Sequence, residues 1–396
     1  MRLPGSWRKV ESIPARRGGS QMTAQVLPGG EVGPGAAGLT AEAAAERLLQ
    51  AAAGAFDLAA VYLGDRLGWY ASLRDDGPAT PEQLAARTGT APRYAREWLE
   101  QQAVTGLLKV ENDGRFCLPA GVAEAFTNPG SLAFMAPVSR MLVASMLQMP
   151  ALLDAYRSGG GVSWAQLGVD ARESQADLNR PWYELMLPAA LAGVPHLHEA
   201  LGRPGAQIAE IGCGGGYASL ALARSYPSAE VTAYDIDPAT VQLARENVRA
   251  ATMNHRVRVL QADAAELPAS TFDVLFALEC LHDMPYPVEV LSAARRSLRP
   301  GGAVVVMDEA VADQFRPGGD LLERMMYGFS LLVCLPDGLS HPDSAGTGTV
   351  MREGTLRSYA RQAGLPAVTV LPIEDFGFWR FYELRETDRA EGMAAG

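Results

Sequence analysis

One histidine in a short polar stretch could perform proton chemistry. The stretch is Glu279-Cys-Leu-His-Asp-Met284, and it follows an apolar run, Val274–Ala277, that predicts a β-strand. Histidine accepts a proton near neutral pH because its unperturbed pKa is about 6.5. His282 is therefore a candidate general base. The alternative is a polar residue that only caps the loop between a strand and a helix.

A glycine-rich turn could hold a nucleotide-like ligand. The turn is Glu210-Ile-Gly-Cys-Gly-Gly-Gly216, and such a turn after a strand presents backbone N–H groups and a helix N-terminus. Glu210 suits a cationic ligand, and Asp235, 23 residues after Gly212 at the end of the next strand, suits ribose hydroxyls. Asp263, after the third strand, could accept a hydrogen bond from an adenine amino group. Each feature alone could be a tight turn or a strand cap, and nicotinamide enzymes use a similar turn.

Together these features resemble class I S-adenosylmethionine-dependent methyltransferases. The match continues through Phe272-Asp-Val-Leu275 and Leu298-Arg-Pro-Gly-Gly302. The resemblance implies an α/β fold with a seven-stranded Rossmann-like sheet whose last strand is antiparallel, and S-adenosylmethionine as the cofactor. The cofactor-binding residues that we expect are Glu210, Gly212, Cys213, Gly214, Gly216, Asp235, Ile236, Asp263, Ala264 and Glu279.

The stretch around His282 is similar to plant small-molecule O-methyltransferases, in which a catalytic base histidine is followed by Asp-Trp. Here Met284 stands in place of the tryptophan, so the substrate pocket departs from that pattern. Asp308, with Glu309 beside it, resembles the acid that orients the base in those enzymes. The resemblance therefore implies His282, Asp308 and Glu309 as the catalytic residues.

The segment before these motifs has the pattern of a winged helix. Thr80-Pro-Glu-Gln83 predicts a capping box, Thr90 is expected to cap a second helix, and Asn112-Asp-Gly114 predicts a tight hairpin. On the second helix, Arg93 and Arg96 are balanced by Glu97 and Glu100. This balance disfavours DNA binding and favours a dimerisation module that also forms one wall of a substrate pocket.

From about residue 40 onward the chain resembles bacterial, especially actinobacterial, proteins that join a winged helix to a methyltransferase domain. We expect a disordered N-terminus at 1–38 and a winged-helix and dimerisation domain at 39–130, beginning with one helix over Ala41–Ala53 and then a second. A helical linker and substrate-pocket region at 131–200 and a cofactor-binding domain at 201–388 follow, with the insertion 312–350 as a substrate cover.

Composition narrows the class of protein. The net charge of -11 disfavours a nucleic-acid partner. The four cysteines are scattered without zinc-site spacing, so we expect no metal, and no apolar run is long enough for a membrane span. The expected function is cytoplasmic methyl transfer to an oxygen atom of a small apolar or aromatic molecule by a homodimer. The alternative is a transcription regulator that senses S-adenosylmethionine.

Overall fold

The computed structural model describes residues 38–386. The disorder expected for residues 1–38 concerns a segment that lies, except for residue 38, outside this range. The last two residues of the expected 201–388 domain also lie outside it.

The N-terminal part is a helical domain with a small wing. Its core contains Trp69, Tyr70 and Trp98, which pack against one another. Thr80 and Gln83 form the expected capping box. The elements are α1 Ala41–Arg66, α2 Trp69–Asp75, α3 Pro81–Thr88, α4 Pro92–Val104, β1 Lys109–Val110, β2 Phe116–Cys117 and α5 Ala120–Thr127.

Two local expectations in this domain are wrong. The helix α1 runs without a break through Gly54, where a glycine costs only about 1 kcal/mol and the backbone has open space around it. Thr90 does not cap α4, which begins after Ala91. The Thr90 hydroxyl instead accepts a hydrogen bond from Nε1 of Trp69 at 3.2 Å.

Helices connect this domain to the sheet. Trp182–Met186 forms a π-helical turn between α8 and α9, and Gly168, with φ 80°, interrupts the helical conformation of α8. The helices are α6 Ala136–Leu147, α7 Met149–Ser158, α8 Trp164–Pro181, α9 Leu187–Ala192 and α10 Pro195–Gly202.

The C-terminal part is a seven-stranded sheet, which confirms the expected α/β fold. Its strands are β3 Gln207–Ile211, β4 Glu230–Asp235, β5 Val257–Gln261, β6 Phe272–Leu278, β7 Leu298–Glu309, β8 Ala367–Val370 and β9 Trp379–Arg385. Their order is β5-β4-β3-β6-β7-β9-β8. The first five are parallel, and β9 is antiparallel to both β7 and β8.

Helices cover both faces of the sheet and bury its strands, as parallel sheets require. They are α11 Tyr217–Ser225, α12 Pro238–Ala250, α13 Pro287–Ser297 and α16 Glu353–Gln362, with a 3-10 turn at Ala264–Glu266. Between β7 and α16, the insertion contains α14 Leu321–Phe329, a π-helical turn at Ser330–Cys334 and α15 Leu335–Gly338. Two apolar cores result, one on each side of the sheet.

Within residues 38–386, no single helix has the length and apolar composition of a membrane span. The helices α6 and α7 reach that composition only as a pair bent by 60°.

Candidate active site

A cavity of about 670 Å³ lies at the carboxyl ends of the parallel strands, where open α/β sheets bind their ligands. Loops after β3, β4, β5 and β6 form one wall. The linking helices α6 and α8 and the insertion form the others. The strands thus bring together motifs that are far apart in the sequence.

The glycine-rich turn lines this cavity with backbone atoms that no side chain covers. Gly212 and Gly214 both line it, with φ of 61° and 52°. A β-carbon on Gly212 would lie 2.7 Å from Cβ of Cys280, whereas one on Gly214 would meet no atom within 4 Å. Glycine is therefore required for conformation and packing at Gly212, and the backbone at Gly214 is open to a ligand.

The carboxylate of Asp235 is fixed at both oxygens. Oδ2 accepts a hydrogen bond from the backbone N–H of Gly214 at 3.0 Å, and Oδ1 accepts one from that of Asp237 at 3.0 Å. Burial raises the pKa of Asp235 to about 6. Beside it, Ile236 lines the cavity with 63% of its surface exposed. This arrangement gives a rigid acceptor next to an apolar surface.

Asp263 and Ala264 also line the cavity. Oδ1 of Asp263 accepts a hydrogen bond from the backbone N–H of Ala265 at 2.9 Å and so caps the 3-10 turn. Asp263 therefore has a local structural role as well as a position at the cavity.

Three of the expected cofactor residues do not line the cavity: Glu210, Cys213 and Gly216. Glu210 is only 3% exposed and accepts a hydrogen bond from the Ser219 hydroxyl. Burial raises the pKa of Glu210 to about 8. Cys213 is buried, and Gly216, with φ 75°, is the N-cap of α11.

Glu279 enters the cavity from a strained backbone position. Its φ is 55°, a left-handed conformation that costs a non-glycine residue about 1–3 kcal/mol and occurs often at functional sites. Its carboxylate accepts a hydrogen bond from Nδ2 of Asn179 on α8, and burial raises the pKa of Glu279 to about 7. Asn179 was not singled out from the sequence, because nothing local marks it.

His282 is surrounded by carboxylates. Its Nδ1 lies 3.0 Å from Oδ1 of Asp308 and 3.3 Å from Oε2 of Glu309. Its Nε2 lies 3.3 Å from Oδ1 of Asp283. The imidazole, Asp308 and Glu309 are each at most 3% exposed. The structure thus brings the three expected catalytic residues together and adds Asp283.

These neighbours change the proton affinity of the histidine. Burial alone would lower the pKa of His282, but the charges of Asp283, Asp308 and Glu309 outweigh burial and raise it well above its usual value. The pKa of Glu309 is itself raised by burial. The ordinary value expected from the sequence therefore does not apply, and the proton belongs to a coupled cluster.

Comparison with protein families identifies the two parts of the chain. Residues 209–306 match the family described as a methyltransferase domain, and residues 56–128 match the Rv2258c-like winged HTH domain. The chain carries a class I S-adenosylmethionine-dependent methyltransferase domain. An N-terminal winged-helix domain precedes it, as the sequence predicted.

Curated relatives resemble the methyltransferase domain over part of their length. The ubiquinone biosynthesis O-methyltransferase of Xanthomonas campestris pv. campestris (strain B100) is 38% identical over 103 residues, which are 26% of this chain and 42% of that protein. The 27-O-demethylrifamycin SV methyltransferase of Amycolatopsis mediterranei (strain S699) is 38% identical over 108 residues, 27% of this chain and 39% of that protein. The match therefore spans less than half of each relative.

Solved structures share the fold over most of the chain. The mitomycin 7-O-methyltransferase MmcR has a TM-score of 0.66 and 22% identity, covering 87% of this chain and 98% of that one. Human N-acetylserotonin methyltransferase, solved with S-adenosylmethionine, has a TM-score of 0.65 and 18% identity, covering 88% and 100%. At this level of identity the likeness concerns the fold.

The cofactor of such a domain is S-adenosylmethionine, and the residues around the cavity fit this molecule. The volume lies within the usual range for small-ligand sites. The open backbone at Gly214 leaves room for close approach, and the fixed carboxylate of Asp235 can accept hydrogen bonds from hydroxyls. Together with Ile236 and Asp263, these features offer a polar edge and an apolar face to a nucleoside.

Proposed function

We propose that the protein transfers a methyl group from S-adenosylmethionine to an oxygen atom of a small apolar or aromatic molecule. The observation that carries the proposal is one cavity lined both by Gly214 and Asp235 and by His282. The O-methyltransferases among the relatives support oxygen as the acceptor atom.

The cofactor side of the cavity is formed by Gly212, Gly214, Asp235, Ile236 and Asp263. Asp235 would accept hydrogen bonds from ribose hydroxyls, and Asp263 would accept one from the adenine amino group. The bound cofactor supplies an electrophilic methyl group on a sulfonium. Glu279, whose carboxylate is hydrogen-bonded to Asn179, would lie near the positively charged groups of the cofactor.

The cluster around His282 would remove the proton of an acceptor hydroxyl. Asp308 holds the ring at Nδ1, so Nε2 is the atom that can accept a proton from the cavity side. In the described conformation Nε2 of His282 faces the carboxylate of Asp283. This carboxylate must therefore move aside for the acceptor hydroxyl, or pass the proton of that hydroxyl to Nε2. Positive charge entering the cavity lowers the pKa of the cluster and thereby frees the base.

The insertion would cover the acceptor and exclude water. It is fastened to the linking segment by two backbone donors: the N–H of Val162 donates to the carbonyl of Pro336 at 2.9 Å, and the N–H of Trp164 donates to Oδ1 of Asp337 at 2.6 Å. Gly161 makes this contact possible, since a β-carbon there would lie 2.1 Å from the Pro336 carbonyl oxygen.

The winged-helix domain would serve dimerisation rather than DNA binding. On α4, Arg93 pairs with Glu97, and Arg96 pairs with Glu82 at 3.2 Å, so its arginines already have acidic partners. On α1, three exposed apolar side chains repeat every seven residues, namely Leu49, Phe56 and Leu63. This spacing places them on one face that a second copy could cover. A cytoplasmic location also stays a prediction.

A methyl-transfer assay tests the proposal. The purified protein is incubated with S-adenosylmethionine and panels of phenols, amines and carboxylic acids, and S-adenosylhomocysteine and methylated products are measured by mass spectrometry. We expect O-methylated products that require the wild-type cavity. Methylation confined to the nitrogen of amines would contradict oxygen as the acceptor atom.

A further inference from the structure

Two carboxylates at the acceptor side of the cavity form no ion pair with an arginine or lysine. Asp283 follows β6, and Asp337 lies on α15 in the insertion; both line the cavity. Oδ1 of Asp283 is buried without a hydrogen-bond partner. Oδ1 of Asp337 accepts the Trp164 N–H, whereas its Oδ2 receives no hydrogen bond from the described residues.

Burial and the neighbouring charge act on these acids together. Burial, and then the charge of Asp283, raise the pKa of Asp337 to about 7. Burial likewise raises the pKa of Asp283. Two partly buried carboxylates whose charges interact are costly unless a positive charge or a proton compensates them.

The cavity walls supply little positive charge. Among the described residues that line the cavity, Arg172 is the only arginine or lysine, and its Nε is 2.7 Å from Oδ2 of Asp237. His282 is shared by three carboxylates. One of these, Glu309, is 3% exposed, lines the cavity and leaves Oε2 without a hydrogen-bond partner. The acceptor side therefore has more carboxyl groups than basic side chains to pair with them.

The same side of the cavity offers apolar and aromatic surface. Its lining includes Trp164, Phe329, Met325 and Met326. Aromatic rings attract cations through their faces, and methionines adapt to irregular apolar shapes. The combination suits a molecule with an apolar body and a positively charged group.

We infer that the methyl acceptor is an organic cation whose protonated amine lies against Asp283 and Asp337 while its apolar body packs on the aromatic wall. This inference rests on the proposed function and specifies its substrate class. The two carboxylates select the acceptor by charge, so anionic molecules of the same shape are rejected.

Small molecules of matched size and aromatic body, whose polar group is cationic, neutral or anionic, provide the test. Two series serve as probes: tyramine, 4-hydroxyphenylacetamide and 4-hydroxyphenylacetate, and 2-naphthylmethylamine, 2-naphthamide and 2-naphthoate. Each is titrated calorimetrically into the full-length protein saturated with S-adenosylhomocysteine. We expect the amine of at least one series to bind tenfold or more tightly than its carboxylate, with the amide between them. Equal binding, tighter binding of the carboxylates, or no binding of any amine at millimolar concentration would overturn the inference.

Two variants locate the selectivity. Asp337→Asn keeps an oxygen for the Trp164 N–H but removes the negative charge of the side chain. Asp283→Asn removes the negative charge beside His282 without changing the size of the side chain. Each should reduce the amine preference about tenfold while the affinity for S-adenosylhomocysteine stays within threefold of wild type. Asp154→Asn, at a side chain that is 81% exposed, is the matched control and should change neither quantity. An amine preference that survives both cavity substitutions would overturn the assignment.

Two further readouts separate the explanations. Failure of the wild-type protein to bind S-adenosylhomocysteine would instead contradict the proposed function. Stoichiometric metal in the purified protein, measured by mass spectrometry, would assign the acidic wall to a metal ion and also overturn the inference.

Discussion

The proposed base is a cluster of ionisable groups and not an isolated imidazole. Asp308 and Glu309 lie at Nδ1 of His282, and Asp283 lies at Nε2. Such groups exchange protons as a unit. Their negative charge strengthens the base but also keeps it protonated in the free protein.

Removing the imidazole should impair chemistry and leave cofactor binding intact. We expect His282→Ala to lower kcat by about 10²–10⁴-fold, the usual range for general acid–base catalysis. The affinity for S-adenosylmethionine should change little, because His282 is not among the proposed cofactor contacts. Steady-state kinetics with an acceptor from the screen and calorimetry measure the two quantities.

The pH dependence provides a control. Because the pKa of His282 is raised, the deprotonated form appears only as the pH rises, so wild-type kcat/KM should increase through a value above 6.5. The variant should lack this increase. A variant that keeps more than about a third of wild-type kcat, with the same pH profile, would reduce His282 to a loop residue.

The sequence predicted the residues at strand ends better than the residues that face them. Asp235, Asp263 and His282 could be placed because the carboxyl ends of parallel strands share one edge. Asn179 and Asp337 come from helices elsewhere in the chain, and no local pattern marks them. Their positions depend on how the linker and the insertion pack against the sheet.

At the scale of elements, a buried acid joins β3 to α11. Glu210 near the end of β3 accepts a hydrogen bond from Ser219 on α11. Because its pKa is raised to about 8, the folded state binds a proton that the unfolded state releases between about pH 4.5 and 8. Stability therefore falls as the pH rises through this window, by a penalty of about 5 kcal/mol at pH 9.

We expect Glu210→Gln to remove this penalty. Its amide oxygen can still accept the Ser219 hydroxyl, so Tm should rise by several degrees at pH 9 and change little at pH 4.5. Affinity for S-adenosylmethionine should stay near wild type, because Glu210 does not line the cavity. Scanning calorimetry at both pH values measures the effect, with the exposed Glu230→Gln on β4 as the control. A large loss of affinity would instead place Glu210 at the cofactor.

The helices of the N-terminal domain show where local patterns mislead. The first helix was expected to end at Ala53, just before Gly54, but an exposed glycine weakens a helix without ending it. Thr90 looked like an N-cap, yet its hydroxyl pairs with Trp69 in the tertiary structure. The capping box of α3 was predicted correctly because its two hydrogen bonds are local.

At the scale of the whole molecule, the exposed face of α1 predicts a dimer. Leu49 and Phe56 are 71% and 73% exposed. Replacing both with glutamate should convert a homodimer into a monomer, because the charges would be buried at the interface. Light scattering at micromolar concentration measures the mass. Phe315→Glu, at an exposed residue of the insertion, should leave the dimer intact, and a monomeric wild type would refute the prediction.

Cofactor binding at the glycine-rich turn is the central claim, and a calorimetric titration tests it most directly. S-adenosylmethionine is titrated into the wild type and into Asp235→Ala, which removes the acceptor fixed by Gly214 and Asp237. Lost charge-assisted hydrogen bonds are worth about 1.5–3 kcal/mol, so we predict one site per chain in the wild type and an affinity at least about tenfold weaker in the variant. Wild-type affinity in Asp235→Ala, or no binding to the wild type, would contradict the account.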